Sequence, residues 1–203
     1  MKRSTSRNLT RIASYIALGV FFAWVILPIA WALSLSLKSP ADIIRIPTSW
    51  IFSPTIANYL QVFLTGEFVH EFANSLIIGA SATFLALLIG VPAAYTLQRY
   101  RFPGRDRLDF WVLSTRMAPP VAVLIPYFIV FQKLGLTDTH IAIIIMHISV
   151  NLVLVIWLMK GFFADIPLEL TEAALVDGCT HWGAFGRINL PLARGGIAAT
   201  AIL

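Results

Sequence analysis

Charge is the scarcest property of this sequence. Asp, Glu, Lys and Arg make up 12% of its 203 residues and hydrophobic residues 58%, whereas soluble domains carry about 25% charged residues. An ordinary soluble domain is therefore excluded. Cysteine is almost missing too: Cys179 stands alone, which excludes an intrachain disulfide framework and a four-cysteine metal site. The compartment has to be read from topology instead. There is no Gly-rich phosphate loop of the G-x-x-x-x-G-K-[ST] kind, so this chain does not hydrolyse ATP by that route. Cys179 and His181 lie close together, but no third ligand or orienting acid stands at a suitable spacing, so neither a metal site nor a catalytic nucleophile is read there. No catalytic residue is assigned anywhere in the chain.

What is present is a series of apolar runs, each about as long as the ~20 residues that a membrane helix needs. The first runs from about residue 12 to 37, behind Lys2, Arg3, Arg7 and Arg11. It exceeds the ~7–15 apolar residues of a signal peptide, so it reads as an uncleaved helix. Further runs cover about 72–97, 108–131 and 139–159, and another begins at Gly195. The chain between Lys38 and His70 is broken by Pro40, Pro47 and Pro54 and carries Trp50, Phe52 and Tyr59, residues suited to a membrane interface or a protein contact. The predicted fold is an all-α, polytopic helical bundle with four complete transmembrane helices and the start of a fifth. Residues 1–11 form an N-terminal segment and residues 12–203 the membrane domain. From Gly195 to Leu203 the last run offers only about 13 Å of helix, too short to cross, which predicts that the sequence belongs to a longer protein.

Basic residues outnumber acidic ones, 15 to 10. Their placement points to membrane topology and not to nucleic acid. With the N-terminus in the cytoplasm, eleven of them (Lys2, Arg3, Arg7, Arg11, Arg99, Arg101, Arg105, Arg107, Lys160, Arg187 and Arg194) fall in segments 1–11, 99–107 and 160–194, all cytoplasmic. Only Lys38, Arg45 and Lys133 remain in outer loops, and Arg116 lies within a run. The positive-inside rule selects this orientation.

Between the fourth run and the fifth lies a polar island. Asp165 is positioned to cap a helix with Pro167 in its first turn, Glu169 and Glu172 favour its N-terminal dipole, and Gly178 suits the left-handed turn at its end. Thr180 is placed to cap a second short helix ending before Pro191. A membrane-surface anchor is normally rich in Lys and Arg. This segment is acidic instead (Asp165, Glu169, Glu172, Asp177), and Ala173 and Ala174 would let another backbone approach closely. A protein partner is the better reading.

Glu172-Ala173-Ala174, three residues, Gly178, nine residues, then Ile188-Asn189-Leu190-Pro191 resembles the cytoplasmic loop motif of bacterial binding-protein-dependent ABC importer permeases at every specified position. Asn74-Ser75-Leu76, Ala93-Ala94-Tyr95, Phe102-Pro103-Gly104, Pro120 and Gly161-Phe162-Phe163 before Ile166-Pro167 are similar to the carbohydrate-uptake branch, in particular to the second permease subunit of maltose-type systems. Arg194-Gly195-Gly196 departs from the proline often found just after the motif. The resemblance implies a type I importer permease fold in a bacterial inner membrane and a translocation pathway for a sugar, polyol or related solute. It also implies partners: a second permease subunit, a dimeric ATP-binding subunit holding ATP and magnesium, and an extracytoplasmic solute-binding protein, besides membrane lipid. No cofactor on this chain is implied. Residues 160–194 would be the coupling loop, with Glu172, Ala173, Ala174, Asp177, Gly178, Ile188, Leu190 and Pro191 contacting or shaping the contact with the ATPase. An importer of amino acids or peptides, or a scaffold that recruits a cytoplasmic partner without transport, are the rival readings.

Polar residues inside membrane helices are costly and often functional. Asn74, Ser75, Arg116, His147 and Asn151 are therefore candidates for the solute path. His147 and Asn151 are four apart and share a helical face, and Pro119 and Pro120 mark a helix break of the kind that borders substrate sites.

Overall fold

The computed structural model describes residues 2–203, with side chains described from Arg11 onward except that of Pro120. The sequence readings that fall on Lys2, Arg3 and Arg7, and on the Pro120 side chain, lie outside that set. The chain divides into two units, Met1–Glu71 and Phe72–Leu203. No strand occurs among the described residues.

In the first unit, helix α1 (Lys2–Ser36) runs unbroken through Pro28. Between Arg11 and Ser36 it is apolar on every side and long enough to cross a bilayer. Its last carbonyls have no helical partner, and the following segment folds back to satisfy them. Asn58 Nδ2 donates to Ser36 O and Lys38 O at 3.0 and 2.8 Å, and Thr55 N donates to Leu37 O at 2.8 Å. Within this fold-back lie α2 (Pro40–Ile43), capped by the Ser39 hydroxyl, and α3 (Ala57–Leu64). Lys38, read from the sequence as an outer-loop charge, is buried: its Nζ donates to Ser49 O at 2.8 Å and lies over the rings of Trp31 and Phe52.

The second unit is organised by α4 (Glu67–Arg99), which begins in the first unit, and by α7 (His140–Ala164), both long and apolar enough to span a membrane. They meet at Gly90. A Cβ there would lie 2.6 Å from Val155 Cγ1 and 3.3 Å from Leu152 Cδ1, so only glycine permits this approach. Replacing Gly90 with Leu is expected to cost about 1–3 kcal/mol of overpacking and to lower the yield of monodisperse protein in gel filtration. A second substitution, Val155→Ala, should recover part of the loss by removing the obstructing methyl groups.

Between these helices the run read as a single span, 108–131, is two helices. α5 (Arg105–Ser114) continues through a 3-10 turn (Thr115–Met117), and α6 (Pro120–Lys133) follows with a 98° bend between the two arms. The cause is steric. Each residue before a proline is driven out of the helical region, and Ala118 and Pro119 are accordingly extended, with ψ of 129° and 131°. Among the described residues the apolar spans thus number three unbroken helices plus this bent pair, four if the pair is one span. Lys160 Nζ reaches both carboxylate oxygens of Asp109 at 2.5 Å, tying α5 to α7.

The core lies where the ends of α4 and α7 meet the segment beyond Ala164. Ala86, Val91, Ala94, Tyr95 and Leu97 of α4 and Val155, Ile156, Met159 and Phe163 of α7 close on Ile166, Phe185 and Ala193. That segment comprises α8 (Leu168–Val176), α9 (His181–Ala184), a π turn (Phe185–Asn189), α10 (Leu190–Leu192) and α11 (Arg194–Ile202). Gly196 of α11 sits against the Phe162 ring with no room for a Cβ, which gives Gly196 a packing role, whereas a Cβ at Gly195 would meet open space.

Candidate functional site

The loop motif forms two short helical arms around one turn. Two sequence readings of it need correction. Asp165 does not cap the first arm: it closes α7, and α8 starts after an extended Pro167 with no side-chain cap, because the proline terminates the preceding turn. The second arm does not stop before Pro191. It widens into the π turn, where Leu190 N bonds to Phe185 O, and continues through Pro191 to Leu192. Pro191 falls in the first turn of α10, where its missing N–H costs little.

The turn itself is sharply defined. Gly178 has φ +88°, a left-handed conformation that favours glycine. Gly178 N donates to Leu175 O at 3.1 Å and Cys179 N to Ala174 O at 2.9 Å, the paired bonds that close a helix through a left-handed residue. Thr180 then starts α9, its hydroxyl accepting from Gly183 N at 3.1 Å. Along α8 one face is inward, with Thr171 and Ala174 buried, and the other outward, with Glu169, Glu172 and Ala173 exposed. Asp177 and Gly178 extend the outward face, and Val176 (87% exposed) and Trp182 (74%) add apolar surface. Of the remaining motif residues, Ile188 and Leu190 are half-buried and Pro191 is exposed.

Beneath this face a polar and aromatic anchorage joins the loop to α4. Asn189 is fully buried, and its Nδ2 donates to Thr171 Oγ1 and Ala184 O, both at 3.1 Å, and more distantly to Tyr95 OH at 3.4 Å. One amide therefore bonds α8, the second arm and α4 together. The Tyr95 ring packs on Phe185 and Phe163 at centroid separations of 4.7 and 5.3 Å. Arg99 Nη2 donates to Ile166 O at 2.6 Å, fixing the entry to α8. A pocket of about 230 Å³ opens alongside, lined by Tyr95, Thr96, Tyr100, His181, Trp182 and others. The motif pattern leaves position 189 unspecified. Its only sequence signal is an amide set between Ile188 and Leu190 at the head of an apolar run.

The solute-path candidates are dispersed. Ser75 lines a groove of about 510 Å³ with Gly79, Ala80 and Thr83 of α4 and Ala201 of α11, whereas Asn74 is half-buried and outside it. Arg116 is exposed in the 3-10 turn at the bend. His147 is exposed and Asn151 half-buried, one turn apart on α7. The structure gathers these residues into no single cavity among those described.

Residues 86–203 match the family described as "Binding-protein-dependent transport system inner membrane component". Three relatives illustrate the range. The probable ABC transporter permease protein y4oR of Sinorhizobium fredii is 33% identical over 98% of this chain and 72% of its own length. The diacetylchitobiose uptake system permease protein NgcG of Streptomyces coelicolor is 34% identical over 98% and 66%. The trehalose transport system permease protein SugB of Mycobacterium tuberculosis is 34% identical over 89% and 65%. The chain thus spans about two thirds of the length of these relatives. Among solved structures, that of a bacterial ABC transporter involved in the import of the acidic polysaccharide alginate has a chain that superposes with a TM-score of 0.82. It is 26% identical, and the match covers 97% of this chain and 69% of that one.

Proposed function

Because this chain belongs to the family of binding-protein-dependent transport system inner membrane components, we propose that it lines part of the translocation pathway of an ATP-driven importer for a sugar or related solute. It pairs with a second permease subunit, receives solute from an extracytoplasmic binding protein and carries no ATPase site of its own. Its N-terminus and residues 160–194 face the cytoplasm. There the outward face of α8 docks on a dimeric ATP-binding subunit, where ATP and magnesium are bound.

The observation that carries this reading is the pairing of an exposed face with a rigid underside. Glu172, Ala173, Asp177 and Gly178 are exposed for a partner, while Thr171, Asn189 and Tyr95 tie the same helix to α4. When the ATPase dimer closes and displaces α8, Asn189 and the Tyr95–Phe185 contact pass the displacement to α4. The Phe162–Gly196 contact couples α7 to α11. Asn74, Ser75, Arg116, His147 and Asn151 are assigned to the solute path, and regrouping of the helices would bring them together. Relatives named for diacetylchitobiose, trehalose and maltodextrin support a carbohydrate cargo.

The test is uptake into proteoliposomes containing the complete complex and its binding protein, with labelled disaccharides and oligosaccharides set beside amino acids and peptides. ATP-dependent accumulation of at least one carbohydrate is expected. Accumulation of an amino acid or peptide alone would contradict the cargo class, and no ATP-dependent uptake at all would contradict the importer reading.

A further inference from the structure

The fold-back after α1 carries large apolar side chains that its own unit leaves largely uncovered. Ile46 and Ile51 are 94% and 95% exposed and Trp50 is 78% exposed, with exposed Ile44 close by in the chain. Their depth follows from their attachment to α1. From Arg11 to Trp31 the helix rises about 30 Å at 1.5 Å per residue, one hydrocarbon thickness, so with the Arg11 charge at one edge of the apolar layer the Trp31 ring would stand at the other. The Trp50 ring packs on it with centroids 5.4 Å apart and planes tilted by 59°.

Trp31 lies about 7.5 Å back along the axis from Ser36, so the segment folds alongside the end of α1 instead of projecting past it. It is held there by the bonds from Thr55 and Asn58 to the α1 terminus, and by the 2.7 Å contact between the hydroxyls of Ser36 and Tyr59. Lys38 is withdrawn between Trp31 and Phe52, which keeps its charge off the surface. Arg45, between Ile44 and Ile46, stays exposed.

We propose that Ile46, Trp50 and Ile51 are seated in the headgroup–acyl boundary of the bilayer, anchoring the end of α1 remote from Arg11. Depth decides for lipid over a soluble partner: a binding protein would meet surface beyond the helix end, not at the level of a residue one hydrocarbon thickness along it. The residue types agree, since Trp at the boundary buries its ring while its N–H meets the headgroups, and Arg45 is placed to meet lipid phosphate. The inference does not depend on which solute is carried.

The test uses the full chain in its complex, in phosphatidylethanolamine–phosphatidylglycerol proteoliposomes. Cys179 is replaced by Ser, and a nitroxide is attached through Ile51→Cys or, separately, Ile46→Cys. Relaxation by molecular oxygen, which partitions into lipid, is compared with relaxation by a water-soluble nickel chelate. At both sites oxygen is expected to be the more effective by at least about twofold, as for a side chain about 5–10 Å into the boundary region. Nickel matching or exceeding oxygen would place the loop in water and overturn the proposal. Protection from both reagents would place a protein, such as the second permease subunit, on this face and would overturn it equally.

Discussion

Gly178→Asp is expected to reduce ATP-driven uptake by the reconstituted complex to background while leaving the amount of chain in the membrane unchanged. The two halves of that expectation have separate physical sources. A Cβ at position 178 would meet nothing within 4 Å, so this chain can accommodate the substitution. The left-handed φ of +88° costs an L-residue about 1–2 kcal/mol, and Asp is among the residues that tolerate it best. The fold should therefore persist. What changes is the outward face, where a further carboxylate would stand next to Asp177, on the one part of the turn where a partner can meet bare backbone. Glu172→Lys should give the same loss by reversing a charge on that face, and Gly178→Ala a much smaller one. Membrane-fraction immunoblots set beside uptake rates separate the two quantities. Uptake by Gly178→Asp and Glu172→Lys at the unsubstituted rate would remove the loop from the mechanism.

Asn189→Leu should have the second largest effect, and of a different kind. Leucine has the same number of side-chain heavy atoms and the same branching, with bulkier methyl ends, but returns none of the amide's hydrogen bonds, so the Thr171 hydroxyl and the Ala184 carbonyl lose a buried partner. Orphaned buried groups cost about 1–3 kcal/mol each, and every 1.4 kcal/mol is about tenfold in an equilibrium. α8 would then be free to shift without moving α4. The expected result is uncoupling: uptake per assembled complex falls about tenfold, while ATP hydrolysis stays near the unsubstituted rate. If both activities fall only in proportion to the amount of complex, Asn189 serves assembly alone. If neither changes, the link between loop and α4 runs elsewhere.

The features that a local pattern can encode were readable from the sequence. Apolar runs showed where helices long enough for a membrane would lie, a glycine marked the left-handed turn, and Thr180 marked the cap that follows it. The misreadings arose where distant or competing terms decide. Pro119 and Pro120 were legible as a break within the apolar run, but not the size of it: they extend two successive residues and bend the run by 98°. Asp165 had the composition of a cap, but α7 continues to Ala164 and uses it as a terminus. Lys38 looked like a solvated loop charge, and its burial depends on Trp31, Phe52 and Ser49 meeting around it. Asn189 is the clearest case. Its contacts include Tyr95, 94 residues earlier in the chain, and no periodicity around position 189 carries that information. Of the solute path the sequence offered only polar residue types, and the structure leaves those residues apart.

The central claim is that the exposed face of α8 is where an ATP-binding subunit takes hold. The most direct measurement places the photoreactive residue benzoylphenylalanine at Ala173, which is exposed and beside Glu172, in the intact complex in native membranes. Illumination should yield an adduct between this chain and the ATP-binding subunit, with a yield that changes when ATP is added. An adduct formed only with lipid or with a different protein, and none with the ATP-binding subunit in either state, would contradict the account.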